Sequence, residues 1–152
     1  MRKKSKYKPK PVIMDTMSHV KLGVTKITAF TTGLLNLKIK SHGYMLDLVE
    51  GRATKDDVIM LMQSVNVAAA IAKNGVGEDH IDEFVEAQQA LVDIVTYGDA
   101  HNGQYVGRPQ QLAAISRALQ IHDAQLGHIT VADFDEAVKY VNKHVLEAKK
   151  KL

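Results

Sequence analysis

Apolar residues recur at intervals of three and four along most of this chain, the spacing that lines one face of an α-helix. Between residues 25 and 50 the stripe is Ile27, Phe30, Leu34, Leu37, Tyr44, Met45 and Leu48, and Gly51 closes it. Gly33 and Gly43 fall inside this stretch and predict a kink or a close helix contact. Thr54 to Asp57 has the form of a capping box, with Asp in place of the usual Glu. It opens a second helix with Val58, Leu61, Met62, Val65, Ala68, Ala69 and Ala72 inward, ended by Asn74-Gly75. Glu78, Asp79, Asp82 and Glu83 crowd the start of a third, where the helix dipole favours negative charge. That helix runs to Tyr97 with Ile81, Phe84, Val85, Leu91, Val92 and Val95 inward.

Gly98 to Gly107 holds three glycines and predicts the main loop. Pro109 suits the first position of a fourth helix, which continues through Leu112, Ile115, Leu119, His122 and Leu126 to Gly127. Thr130 to Asp133 repeats the capping pattern, and the last helix carries Phe134, Ala137, Val138, Val141 and Val145 toward a lysine tail. Asp15 caps at most a short turn over residues 16–22. No stretch alternates with period two for the length of a strand. The fold class expected is all-α, a bundle of about five helices.

Charge changes this picture at the ends. Residues 1–40 carry ten cationic side chains against one acidic, residues 41–148 seven against sixteen, and Lys149, Lys150 and Lys151 follow. An acidic body thus lies between basic ends. Residues 1–12, MRKKSKYKPKPV, contain two prolines and little that can be buried, which predicts an extended basic arm ahead of a single helical domain, 13–152. With 45% apolar residues the domain can bury a core without a staple, and the chain has no cysteine. The longest strictly apolar run, Val67–Ala72, is far short of the ~20 residues that span a bilayer. No signal-peptide pattern follows the basic start, so a soluble, cytoplasmic protein is expected.

Candidate chemistry is sparse. His122 sits on the apolar stripe of its helix beside Asp123, but adjacent helical positions point about 100° apart, so Asp123 is poorly placed to orient its neighbour's ring. A buried histidine with a hydrogen-bonded ring is the plainer expectation. An enzymatic reading requires His122 and carboxylates from other helices to converge in one pocket. His42, His80, His101, His128 and His144 show no pairing at metal-ligand spacing. Asp99–Gln110 starts like a calcium loop but ends in Gln where a bidentate Glu belongs. Nucleophile motifs and phosphate-binding glycine loops are absent. The expectation is no catalytic site, no metal and no cofactor.

The arm is the main functional signal. Arg2, Lys3, Lys4, Lys6, Lys8 and Lys10 surround Tyr7, cations that suit a phosphate backbone and a ring that suits stacking on a base. Lys21, Lys26, Lys38 and Lys40 extend the basic set. The last two helices can be drawn as a helix-turn-helix, but Asp133, Asp135 and Glu136 stand where a recognition helix meets phosphates, which disfavours major-groove reading. The alternative is a protein-interaction or assembly module, in which basic and acidic regions of neighbouring copies or of a host factor pair without any nucleic acid.

MRKKSKYKPKPV, the segment LQIHDAQL at 119–126 and the helix start ITVADFDEAV at 129–138 together resemble a group of small helical bacteriophage and prophage proteins. The resemblance runs along most of the chain without a diagnostic motif. It implies a phage origin and an intracellular setting, and it transfers no site residues.

Overall fold

In the computed structural model the residues described are Lys26 and 31–151. They form five α-helices: α1 (Thr31–Val49), α2 (Lys55–Lys73), α3 (Ile81–Ala100), α4 (Pro109–Gln125) and α5 (Val131–Lys150). A 3-10 turn, Glu78–His80, leads into α3. No strand is present among the described residues. The all-α bundle expected from the periodicity is what forms.

Local chemistry sets several helix ends. Thr54 accepts a hydrogen bond from the Asp57 backbone N–H, and the Asp57 carboxylate accepts from the Thr54 N–H at 2.7 Å. Thr130 and Asp133 repeat this box at the start of α5, with a return bond of 2.8 Å. Aspartate therefore serves where Glu is usual. Pro109 occupies the first turn of α4, and the Gln111 side chain reaches back to the Arg108 N–H at 2.9 Å.

Two boundaries differ from the expectation. Lys26, placed by the periodicity inside the first long helix, instead pairs its backbone singly and antiparallel with Thr130 and lies outside that helix, whose described residues are Thr31–Val49. The third helix runs on through Gly98 to Ala100. Gly98 is buried there because Tyr105 folds back across it: a Cβ at Gly98 would lie 2.2 Å from the Tyr105 ring. That glycine is a docking seat for an aromatic ring and not a helix breaker. Gly43 has open space where its Cβ would project, so it marks no close helix contact.

The centre of the domain is α2. It packs against α1, α3, α4 and α5, whereas α4 and α5 make few contacts with each other. Its inward face, Val58, Leu61, Val65, Ala68, Ala69 and Ala72, meets Phe84, Leu91 and Ile94 of α3 and Ile115, Ala118 and Leu119 of α4 in the main core. Its other side, Val67, Ala70 and Ile71, meets Leu126, Ile129, Ala137 and Val141 in a second core that holds α5. The small side chains of the VAAAIA run permit neighbours on both sides at interior packing density.

The buried stripe of α3 is Phe84, Ala87, Leu91, Ile94 and Gly98. Val85 and Val92, expected inward, are 54% and 47% exposed. Each is one residue off a stripe spaced by three and four, and therefore points about 100° away from it.

Candidate functional site

Arg2, Lys3, Lys4, Lys6, Tyr7, Lys8 and Lys10, the residues on which the sequence places nucleic-acid contact, lie outside the described residues, as does Lys21. Of the supporting cations, Lys26 is exposed and its backbone sits against Thr130, the cap of α5. Lys40 is exposed on α1, and Lys38 borders a cavity between α1 and α5.

The described residues add a basic surface that periodicity alone did not single out. Residues four apart on a helix share a face, so Glu136, Tyr140 and His144 line up on α5, with Lys139 and Lys143 alongside. Opposite them Lys73 and Asn74 close the end of α2, and the two helices form a shallow groove. Lys73 on α2 and Lys139 and Lys143 on α5 line it together with Glu136. The Asp135 carboxylate pairs with Lys139 across one helical turn at 2.6 Å, and this hydrogen bond raises the ammonium pKa above its ordinary value.

Tyr140 is held in the groove. The His144 ring lies 4.1 Å from its ring, centroid to centroid, and His144 donates from Nδ1 to the Tyr140 carbonyl at 2.9 Å. Tyr140 remains 46% exposed. A fixed, half-exposed aromatic ring among lysines suits stacking on a base or sugar flanked by phosphates. Spacing of Lys139, Tyr140 and Lys143 was the available signal, but Lys73 joins them only through the packing of α2 on α5. The carboxylates at the start of α5 have local roles, with Asp133 in the cap and Asp135 on Lys139. A helix-turn-helix pairing of α4 and α5 is not formed, because both dock on α2.

His122 occupies a different place. It is 7% exposed and its Nδ1 lies 3.1 Å from Oε1 of Gln125, itself 3% exposed. The Gln125 amide nitrogen donates to the Ala68 carbonyl at 3.0 Å and to the Val76 carbonyl at 2.8 Å. Two carbonyl acceptors fix which end of the amide is nitrogen, so Oε1 must accept and Nδ1 of His122 must donate. In the neutral ring this tautomer leaves the lone pair on Nε2. Burial pushes the imidazole pKa below its usual value, only partly offset by the Gln125 hydrogen bond and the Asp123 charge, while the Lys38 charge lowers it further. The buried, hydrogen-bonded ring expected from the sequence is what forms, with Gln125 as the unanticipated partner.

Asp123 does not serve His122. It accepts from Nε2 of His42 on α1 at 2.7 Å. Among the described residues lining the cavity beside His122, Asp123 is the one carboxylate, and it comes from the same helix. At the far end of the domain Asp99 binds Lys55 at 2.8 Å and the Tyr105 hydroxyl at 2.8 Å. These two partners hold its carboxyl below the ordinary carboxylate range. Asp99 thus fastens the start of α2 and the Tyr105 loop to the end of α3. Among the described residues no cluster of histidines and carboxylates has the geometry to hold a metal ion, and no described helix is long and apolar enough to cross a membrane.

No family model, curated protein or solved structure matches this chain. The structure defines an all-α domain built around one buried helix, with a lysine-and-tyrosine groove between that helix and the last.

Proposed function

We propose that this chain is a non-catalytic, phage-like binding protein of the host cytoplasm that engages nucleic acid, or a nucleoprotein complex, through its basic N-terminal arm, with the α2–α5 groove as a second contact. The carrying observation is the convergence of Lys73, Lys139 and Lys143 on Tyr140 in a body that is otherwise acidic. Cations gathered on one face, with an aromatic ring among them, form an electrostatic footprint for a phosphate backbone. The Lys26–Thr130 pairing supports the same reading, because it sets one further cation, Lys26, at the start of α5.

The test compares the full chain with two full-length variants on mixed-sequence DNA and RNA, at about 50 and 200 mM salt. In one variant Gln replaces Arg2, Lys3, Lys4, Lys6, Lys8 and Lys10; in the other Gln replaces Lys73, Lys139 and Lys143. An arm that neutralises six phosphates loses roughly 10³-fold in affinity across that salt range. The arm variant should lose most binding, and the groove variant should bind more weakly with a shallower salt dependence. Absence of binding by the intact chain at the lower salt defeats the proposal.

A second reading, as a protein-interaction or assembly module, has its own observation. On α3, exposed Val85 and Val92 lie among exposed Asp82, Glu86 and Asp93, an apolar strip edged by acids. Self-association or partner binding that Val85→Asp abolishes, without nucleic-acid affinity, would favour it.

A further inference from the structure

Between α1, α2, α4 and α5 lies a cavity of about 150 Å³ to which the nucleic-acid reading gives no role. Its walls are chiefly apolar: Val67, Leu126, Phe134, Val138 and Val141. The imidazole of His122 borders it. With Nδ1 donating to Gln125, Nε2 is an acceptor, and it has no hydrogen-bond partner among the described residues. No fully enclosed side-chain nitrogen or oxygen among those residues lacks a partner. The cavity is the space that His122 borders, and Nε2 is the acceptor that this ring can offer there.

Two serines add to this polarity. Ser64 donates its hydroxyl to the Met60 carbonyl at 3.1 Å, so in the 3.2 Å contact between the hydroxyls Ser41 is the donor. Both protons are used within the protein, and Ser41 Oγ is left with acceptor lone pairs. Asp123 on the same wall adds negative charge, while Lys38, Gln63 and Asn142 supply the donors at the border. Beside His122 the site accepts hydrogen bonds from a guest, which selects against a carboxylate or carbonyl there. At roughly 150 Å³ the site, partly open to solvent, has room for a single benzene ring.

From these features we infer that the cavity is a binding site for a neutral, single-ring molecule carrying one hydroxyl, phenol-like in class, whose hydroxyl donates to Nε2 of His122 while the ring packs on Phe134, Val138 and Val141. The site shares no lining residue with the groove.

Phenol and toluene, alike in shape but only one a donor, are titrated into the full chain while the methyl resonances of Leu126, Val138 and Val141 are followed by NMR. Phenol should saturate these shifts. In His122→Phe the preference for phenol over toluene should fall roughly tenfold, the worth of one buried hydrogen bond. His122→Phe also leaves Gln125 Oε1 without its donor, so Val138→Phe, which fills the cavity and leaves the Gln125 bonds intact, is the second variant. It should abolish binding of both molecules. The inference fails if phenol shifts no cavity methyl at millimolar concentration, if Val138→Phe still binds it, or if a folded His122→Phe keeps the full phenol preference.

Discussion

The helices α2 and α5 start from the same device, a Thr–Asp capping box, and have nearly the same length, yet they take opposite places in the molecule. Nine residues of α2 are buried and it touches every other helix, whereas α5 buries only Ala137 and Val141. The difference lies in side-chain volume and charge. The middle of α2 is a run of alanines and β-branched residues with no charged position between Asp57 and Lys73, so it can be surrounded. On α5 charged or polar residues recur in every turn, and one face must stay in water. A cap therefore sets where a helix begins, and composition along it decides whether it becomes scaffold or surface.

The largest test of that contrast is Leu61→Ala set against Val141→Ala. Leu61 is fully enclosed where α2 meets the main core, and its truncation should cost about 2–5 kcal/mol in denaturant unfolding. Val141 has a shorter side chain at the edge of the second core, where neighbours can relax, and should cost less than half as much. Equal losses would mean that α5 is as integral to the domain as α2.

Acid should act on the α2 side as well. The His122 pKa is lowered in the folded state, so the unfolded chain binds the extra proton first as pH falls. The stabilisation linked to this ring is present above the ordinary histidine pKa of about 6.5 and is lost progressively below it. The slope contributed approaches at most about 1.4 kcal/mol per pH unit. Urea midpoints measured from pH 7.5 to 5 should fall in the native chain and flatten in His122→Phe. Asp99 and Glu83, whose folded pKa values are also lowered, act in a more acidic window near and below pH 4.

The smallest effect expected is that of the caps. Thr54→Ala and Thr130→Ala each remove a bond to a helix N-terminus and should cost about 1 kcal/mol by the same unfolding assay. Only Thr54→Ala should weaken the main core. Hydrogen exchange in Thr130→Ala should rise along α5 and leave α2 protected. Faster exchange across both helices would tie α5 into a single cooperative unit with α2.

Much of the fold was readable because helix signals are local. A box closes between residues three apart, a proline opens a first turn, and a stripe repeats every three or four residues, so the five helices and the caps of α2, α4 and α5 followed from neighbours in the chain. His122 was readable as buried for the same reason. The groove and the cavity were not. Lys73 meets Lys139 and Lys143 only because α5 docks beside α2, and Gln125, polar by sequence, is drawn inside by carbonyls at Ala68 and Val76. Val85 and Val92 were misplaced because valine fits either face, and which one is covered depends on what packs there. By itself the sequence determined where helices form and where charge concentrates, through interactions spanning a few residues. Only the tertiary structure decided which helix is central, which ring nitrogen of His122 is left free and which lysines share a groove, because those follow from contacts between segments far apart in the chain.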